Sequence, residues 1–301
     1  MKAARFNEIL EILSTKDIPD NRSGLTPAAN DALVAALDDY FTEREQDKAV
    51  LGIDIYRYSQ LDNSRQRIVP MLFEFMYKLA AGFCTDQERF MFHDQPFLER
   101  FIPTGDGGFQ MLDTPLHGLV FAIYFQLAVE TYNSFFAFPR LRAWLGPLTL
   151  RYALTLGTVF RQENNFFGSA IISNARILAK DSLNRFLIDG ACVDWFRRHI
   201  INIETLLSIV ASDVCRMPGY VACEEPYLDR SLVFGGDEGD RQRAIRTVQM
   251  QKIGAISSKQ TTLDVYNLYI QVFFSRLATE AFGNRLMVVT VGNLNTSGVN
   301  D

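Results

Sequence analysis

The feature that most constrains this chain is an apolar run that ends on a charge, Ala49-Val-Leu-Gly-Ile-Asp-Ile55. A short unbroken apolar run bounded by polar residues reads as a buried strand. An unpartnered carboxylate is costly to bury, so Asp54 needs either a helix N-terminus to cap or a ligand to hold. Such a strand belongs to a central sheet with covering helices.

The rest of the chain supplies those helices. Residues 68–81 read as a long helix with Pro70 in its first turn, because a deeper proline would break the hydrogen-bond ladder. Residues 90–93 and 101–104 read as strands, Gly105-Asp-Gly-Gly108 as a turn, and residues 109–112 as the returning arm of a hairpin. Asp113, Thr114 and Pro115 open another helix, with Leu116, Leu119, Val120, Ile123 and Leu127 at helical spacing. Strands at 148–157 and 158–160 and a helix at 168–180 follow, so the expected class is α/β (α+β). Residues 1–47 read as a helical extension, with Thr26-Pro27 opening a helix lined by Leu33, Leu37, Tyr40 and Phe41. Residues 200–245 read as an insert whose polar part, 231–243, is a loop. A late hairpin over 246–256 and 262–268 and a last strand at 286–291 complete the chain.

Composition limits the partners. At 48% hydrophobic and 22% charged residues the chain is globular rather than disordered. A net charge of −5 leaves no basic footprint for nucleic acid. The apolar stretch 116–129 is too short to span a bilayer, and Glu8 and Glu11 interrupt the first residues as no secretory signal would. Cys84, Cys192, Cys215 and Cys223 form no C-x-x-C pair, and His93, His117 and His199 stand at no ligand spacing from them. Reduced thiols are expected, and zinc is not. The expectation is a cytoplasmic protein that meets neither nucleic acid nor membrane.

Asp106 is the second candidate, in a turn whose glycines let a ligand come close. If its hairpin neighbours the strand of Asp54, both carboxylates emerge at one edge of the sheet. Two hard oxygen donors there suit two divalent cations over a phosphate chain. The plainer alternative is a turn aspartate and a strand-end helix cap, and short motifs alone do not decide.

The order of motifs goes further. Leu51-Gly-Ile-Asp-Ile-Tyr-Arg-Tyr-Ser59, Pro103-Thr-Gly-Asp-Gly-Gly108, Leu150-Arg-Tyr-Ala-Leu-Thr-Leu-Gly157, and Phe166-Phe-Gly168 with Asn174-Ala-Arg176 follow one another within about residues 48–182. Together they resemble the class III nucleotidyl cyclases. The resemblance implies a ferredoxin-like catalytic domain over 48–301, working as a homodimer with two active sites across the interface. It implies that Asp54, Asp106 and the Ile55 carbonyl hold two Mg²⁺ or Mn²⁺ ions. The amides that follow, through Tyr56, Arg57, Tyr58 and Ser59, would cradle a nucleoside triphosphate. Arg176 of the second protomer would offset charge on the α-phosphate, and Lys252 or Lys259 would grip the terminal phosphates. Taken singly, Arg176 reads as a surface ion-pair arginine, Arg57 as a solvated one, and Tyr56 and Tyr58 as core residues.

Departures from the family speak to the substrate. Where its purine enzymes carry a base-reading lysine or glutamate, this chain has Ile102, which makes no hydrogen bond. The second base-reading position is Asn165, whose amide matches a uracil edge or, flipped, a cytosine edge. A domain without the purine pair resembles the bacterial pyrimidine cyclases of the Pycsar antiphage system, whose cyclic UMP or cyclic CMP is read by a separate effector. UTP is favoured over CTP. The family's ribose-positioning asparagine is replaced by Ile172, with Ser173 and Ser169 nearer the Arg176 face. Two alternatives follow: a purine cyclase with atypical base contacts, and an inert cyclase fold serving dimerisation or sensing. Gly235-Gly-Asp-Glu-Gly239 resembles a diguanylate cyclase signature but lacks flanking apolar strands, and reads as a solvated loop.

Overall fold

The computed structural model describes residues 45–87, 89–92, 95–162, 165–200, 245–257, 262–274 and 287–299, with Ala35, Val214 and Met217. The expected helix after Thr26, nearly all of the 200–245 insert with its 235–239 motif, and Lys259 lie outside the described residues.

Strand β1 (Glu45–Ile55) leads through a short turn into helix α1 (Asn63–Gln87) and the single turn α2 (Arg89–Phe92). The hairpin β2 (Phe101–Pro103) and β3 (Gly107–Leu112) precedes helix α3 (Pro115–Asn133), the short α4 (Pro139–Leu145) and the long strand β4 (Leu150–Gln162). The strand order β4-β1-β3-β2, each neighbour antiparallel, is the ferredoxin-like arrangement. Beyond it come β5 (Asn165–Phe167), helix α5 (Ser169–Lys180), strand β6 (Phe186–Asp189) and helix α6 (Gly190–His199). β6 lies parallel to β4, so α5 is a crossover helix. The hairpin β7 (Ile245–Ser257) and β8 (Thr262–Phe274), with β9 (Met287–Val291) on β8, extends the sheet beyond β6. The fold is α/β with a mixed sheet.

Alternation along β1 divides the two faces. Leu51, Ile53 and Ile55 enter a large core shared with α1, α3 and α6, whereas Val50 packs with Ala170 at the start of α5. Asp54 is in phase with Val50, so it belongs to the α5 face. β1 is central and carries helices on both faces, which explains its unbroken apolar sequence.

Three sequence expectations are corrected. The helix expected at 68–81 begins at Asn63, and Pro70 lies inside it rather than in its first turn. Proline at that place leaves the Gln66 carbonyl without a helical donor. The Tyr58 hydroxyl supplies one at 3.1 Å, so the ladder is repaired from outside the helix. Residues 90–92, expected as part of a strand, are helical. Their alternation of aromatic and apolar residues is a packing pattern: Met91 and Phe92 are buried, Phe92 lies edge-on to His117, and His117 Nε2 is 2.9 Å from the Met91 carbonyl. The two strands expected at 148–157 and 158–160 are one, because Gly157 continues the pairing with Lys48.

Candidate active site

The turn between β2 and β3 is shaped by close approach. Gly105 has φ +104°, and Thr104 N–H donates to the Gly107 carbonyl at 3.0 Å. A Cβ on Gly107 would stand 2.0 Å from the Ile53 carbonyl, so only glycine lets β3 pair with β1 there. Gly107 is the register partner of Asp54. The Ile55 N–H donates to the Asp106 carbonyl at 3.2 Å, which ties the turn to the end of β1. The two aspartates are thereby brought together at one edge of the sheet.

On its other side Asp54 is the register partner of Arg151, the second residue of β4. Arg151 Nε donates to Asp54 Oδ2, and its Nη1 donates to the Asp181 carbonyl just after α5 at 2.7 Å. Burial is the largest influence on Asp54 and raises its pKa. The charge and hydrogen bond of Arg151 pull it down, and the charge and hydrogen bond of Asp106 push it up again. The net result is a raised pKa, the mark of a carboxylate held in a costly place.

A contrast within the same sheet bears on the helix-cap reading of Asp54, since burial raises the pKa of Asp189 as well and only their partners differ. Asp189 also ends a strand, but it caps a helix: its Oδ1 accepts from Cys192 N–H at 2.8 Å and its Oδ2 from Leu156 N–H at 3.2 Å. Asp54 caps nothing. The turn that follows it, Tyr58–Gln60, has Arg57 at its cap position and no side-chain cap. Its carboxylate faces a cation and a second carboxylate instead.

The structure places the remaining candidates unevenly. Arg57 is exposed at φ +62° and lies over the Tyr56 ring at 4.9 Å. The Tyr56 amide is already taken by the Thr149 carbonyl at 2.9 Å, and its hydroxyl donates to the Ser182 carbonyl at 3.2 Å. The amides of Arg57, Tyr58 and Ser59 open a helical turn, where N–H groups lack intrahelical acceptors. Tyr58 is packed on the core with its hydroxyl committed to Gln66, which makes it a structural residue. Ile102 is half-buried in an apolar cluster with Val50, Met111, Val159 and Ala170. Phe166 packs on that cluster, and its neighbour Asn165 is exposed on β5. Arg176 is exposed on α5 and Ser173 half-buried, while Ile172 is 52% exposed. Lys252 is on β7, with β4, β6 and β8 between it and β1, and pairs with Asp264 at 2.7 Å. Within one chain it is not part of the Asp54 site.

No family model and no curated relative matches the chain. Solved structures do. It is similar to an adenylate/guanylate cyclase/hydrolase from Silicibacter pomeroyi at 13% identity, over 74% of this chain and 96% of that one, with TM-score 0.41. It is similar to the adenylyl cyclase CyaB from P. aeruginosa at 10% identity, over 74% and 95%, with TM-score 0.35. A third is the catalytic core of a rhodopsin-guanylyl cyclase with converted specificity, at 9% identity, over 75% and 96%, with TM-score 0.44. These neighbours are nucleotidyl cyclases. Their activities are their own, and the chemistry of this chain is argued from its own residues.

Arg151 is the site residue whose role sequence reasoning missed. Its signal was present: an arginine second in one strand, antiparallel to a strand with aspartate second from its end, sets opposite charges directly across from each other. Among the described residues no three His, Cys, Asp or Glu side chains converge as a metal cage. A small hard cation needs no such cage, since Mg²⁺ is commonly held by one or two carboxylates with water and substrate phosphates. A desolvated carboxylate with a second one beside it is the arrangement that such a cation relieves, so the residues fit.

Proposed function

We propose that this chain is a class III nucleotidyl cyclase that converts a pyrimidine nucleoside triphosphate, with UTP favoured over CTP, to its 3′,5′-cyclic monophosphate and pyrophosphate. The observation that carries the reading is the approach of Asp106 to Asp54 at the end of the central strand of a ferredoxin-like sheet, where Asp54 caps no helix. The order of the four motifs supports it. Asp54, Asp106 and the Ile55 carbonyl would hold Mg²⁺ or Mn²⁺, which when bound supplies Lewis-acid activation of the ribose hydroxyl and charge neutralisation on the phosphates.

The chain's own groups do the rest. Arg151 offsets part of the burial cost of the Asp54 carboxylate, aims it, and brings a guanidinium toward an anionic substrate. The amides of Arg57, Tyr58 and Ser59 offer donors to phosphate oxygens at the opening of their turn. Arg176 is exposed, as a residue must be if it serves the site of a second protomer, and there it would offset charge developing on the α-phosphate. The absence of a hydrogen-bonding group at Ile102 and the exposed amide of Asn165 underlie the pyrimidine reading. A role in antiphage defence, through an effector that reads the product, belongs to the same proposal.

The test is product analysis of purified protein given ATP, GTP, CTP and UTP separately, with Mn²⁺ and with Mg²⁺. A cyclic pyrimidine monophosphate that disappears in Asp106→Ala supports the reading. A cyclic purine keeps the mechanism and removes the substrate assignment. One observation favours a second reading, an inert cyclase fold: Ile172 stands exposed where the family positions ribose with asparagine. No product from any nucleotide, from a folded dimer, would favour it.

A further inference from the structure

Away from the candidate site, large apolar side chains gather on one outer face. Met71 and Phe75 on α1, Phe135, Phe136 and Phe138 in the loop before α4, and Trp144 on α4 are each between 39% and 57% exposed. Two stretches far apart in the chain contribute, and contacts join them. Phe75 and Phe138 meet edge-on at 4.8 Å, and the Arg65 guanidinium lies 5.9 Å from the centre of the Trp144 ring. The face therefore runs from α1 to α4, and exposed apolar side chains gathered in this way mark an interaction site.

Two of the aromatics are held outward at a cost. Phe135 has φ +67° and Phe138 φ +49°, and Arg57 is the only other non-glycine residue in the left-handed region among the described residues. A bulky side chain there is an outlier that glycine or asparagine would relieve. The loop is nonetheless tightly bonded: Phe135 N–H donates to the Tyr132 carbonyl at 3.1 Å, and the Phe136 and Ala137 amides both reach Thr131 at 3.1 Å. Backbone strain kept at exposed aromatics points to a use for those rings.

Charge indicates what they meet. Arg65 and Arg142 lie over the Trp144 and Phe135 rings, Arg67 and Lys78 are exposed on α1 and Arg140 on α4, against the carboxylates Asp62 and Glu74. Those two carboxylates are paired with Arg65 and Lys78, which leaves Arg67, Arg140 and Arg142 as the excess positive charge. Residues 131–146 hold no acidic residue at all, in a chain whose net charge is −5. The helical stretch Asn63–Asp86 is long and apolar enough to cross a bilayer by length and composition alone, a test that a core helix also passes. It cannot do so in this fold, because Leu72, Phe73, Met76 and Tyr77 are in the core. Its outer side instead presents Arg67, Met71, Phe75 and Lys78 in successive turns. Apolar and aromatic groups flanked by long cationic side chains are the chemistry of a helix lying in a membrane interface.

We propose that this face docks on an anionic phospholipid surface, with α1 in the plane of the interface, the aromatic rings among the acyl boundary and the arginines on the headgroups. The sequence reading expects no membrane contact; the face is invisible there because it is assembled from residues far apart in the chain. The proposal does not depend on the cyclase reading.

The experiment is co-sedimentation of the full chain with vesicles of phosphatidylcholine alone and of phosphatidylcholine with phosphatidylserine, at low and high salt. The expected result is binding to the anionic vesicles roughly tenfold or more above the neutral ones, weakened by salt. The paired substitution Phe135→Asn and Phe138→Asn should abolish it while leaving the Tm at or above that of the starting protein, since asparagine tolerates the left-handed backbone. Arg67→Glu with Arg140→Glu should also abolish it. No sedimentation with either vesicle overturns the proposal, as does undiminished binding by the folded variants. Concentration-dependent self-association lost in the same variants overturns it as well, by giving the face to a second copy of the chain.

Discussion

Gly52 and Asn174 occupy one volume: a Cβ on Gly52 would stand 2.0 Å from Asn174 Oδ1. Asn174 lies inside α5, two residues before Arg176, and is fully buried. Its Nδ2 donates to the Val50 carbonyl at 2.7 Å, the Ala153 carbonyl at 2.9 Å and Thr155 Oγ1 at 3.2 Å, while Oδ1 has no hydrogen-bond partner. With a Cα–Cβ bond of about 1.5 Å, the Gly52 Cα lies within about 3.5 Å of Oδ1, the reach of a weak Cα–H···O contact. The amide pins the helix that carries Arg176 onto β1 and β4, and the missing side chain at residue 52 makes room for it.

Gly52→Ala should therefore destabilise the protein by about 1–3 kcal/mol, because α5 has to lift to admit the methyl group. Asn174→Ala should cost about 1–3 kcal/mol through lost hydrogen bonds. The double variant removes the clash with Asn174 and leaves only the movable end of Leu178, 2.8 Å away, so its cost should fall below the sum of the two by at least about 0.5 kcal/mol. Urea denaturation of the four proteins measures the coupling. Simple additivity would mean that the two positions do not share a volume.

How far the sequence discloses this architecture depends on how local each signal is. Asp54 and Asp106 are legible because a charge closing an apolar run and an acid between glycines are patterns within a few residues. β6 escapes notice because it is four residues long, and α6 because its start depends on the cap by Asp189. Pro70 misleads because the donor that repairs its helix, the Tyr58 hydroxyl, comes from outside the helix. The Tyr58 ring in turn looks free to fill a base pocket until that bond and its core packing are known, and only its amide is left for a ligand. Arg151 is visible as a motif residue, but its partnership with Asp54 requires the strand register.

Asp113 supplies a pH test of the fold. Burial alone would push its carboxyl up, but Lys48 at 2.7 Å, Gln95 and Arg100 together outweigh burial and hold the pKa at about 2, below the ordinary 3.8. A depressed folded pKa contributes stability that is present above about pH 4 and lost as the pH falls toward 2. The shift corresponds to about 2 kcal/mol, reduced to about 1 kcal/mol by partial solvent screening. Asp113→Asn should lower stability at pH 7 by about that amount, and the gap should close between pH 4 and pH 2. A gap that stays constant over this range would show that the carboxylate's charge contributes nothing.

The raised pKa of Asp54 makes a prediction of opposite sign. An acid whose folded pKa is raised destabilises the fold as the pH rises through that value, and a bound cation offsets the cost. Mn²⁺ should therefore raise the Tm by a larger amount at pH 8 than toward the acid side, where protons compete for the raised carboxyl. Asp106→Asn removes the neighbouring charge and keeps the bond from Arg151. Without metal its Tm should equal or exceed that of the starting protein by about 2–4 °C, and the Mn²⁺ increment should vanish. An increment that survives in this variant would place the cation elsewhere.

The arrangement of Asp54 and Arg176 within one chain sets up the last prediction. Asp54 sits at the end of β1, whereas Arg176 is exposed on α5. If each active site joins Asp54 of one protomer to Arg176 of the other, a twofold dimer has two equivalent sites. Asp54→Ala and Arg176→Ala homodimers then lose both sites, and removing the arginine alone should cost about 10²-fold or more in turnover. In a mixed dimer both defects fall in the same site and the second site is intact. Random exchange of equal amounts makes half of the dimers mixed, so activity should return to about a quarter of the starting protein's. The assay is turnover after mixing, with exchange followed by a size or affinity tag on one variant. Recovery at that level supports a shared site; confirmed exchange without recovery would falsify it, because aspartate and arginine would then have to act within one chain.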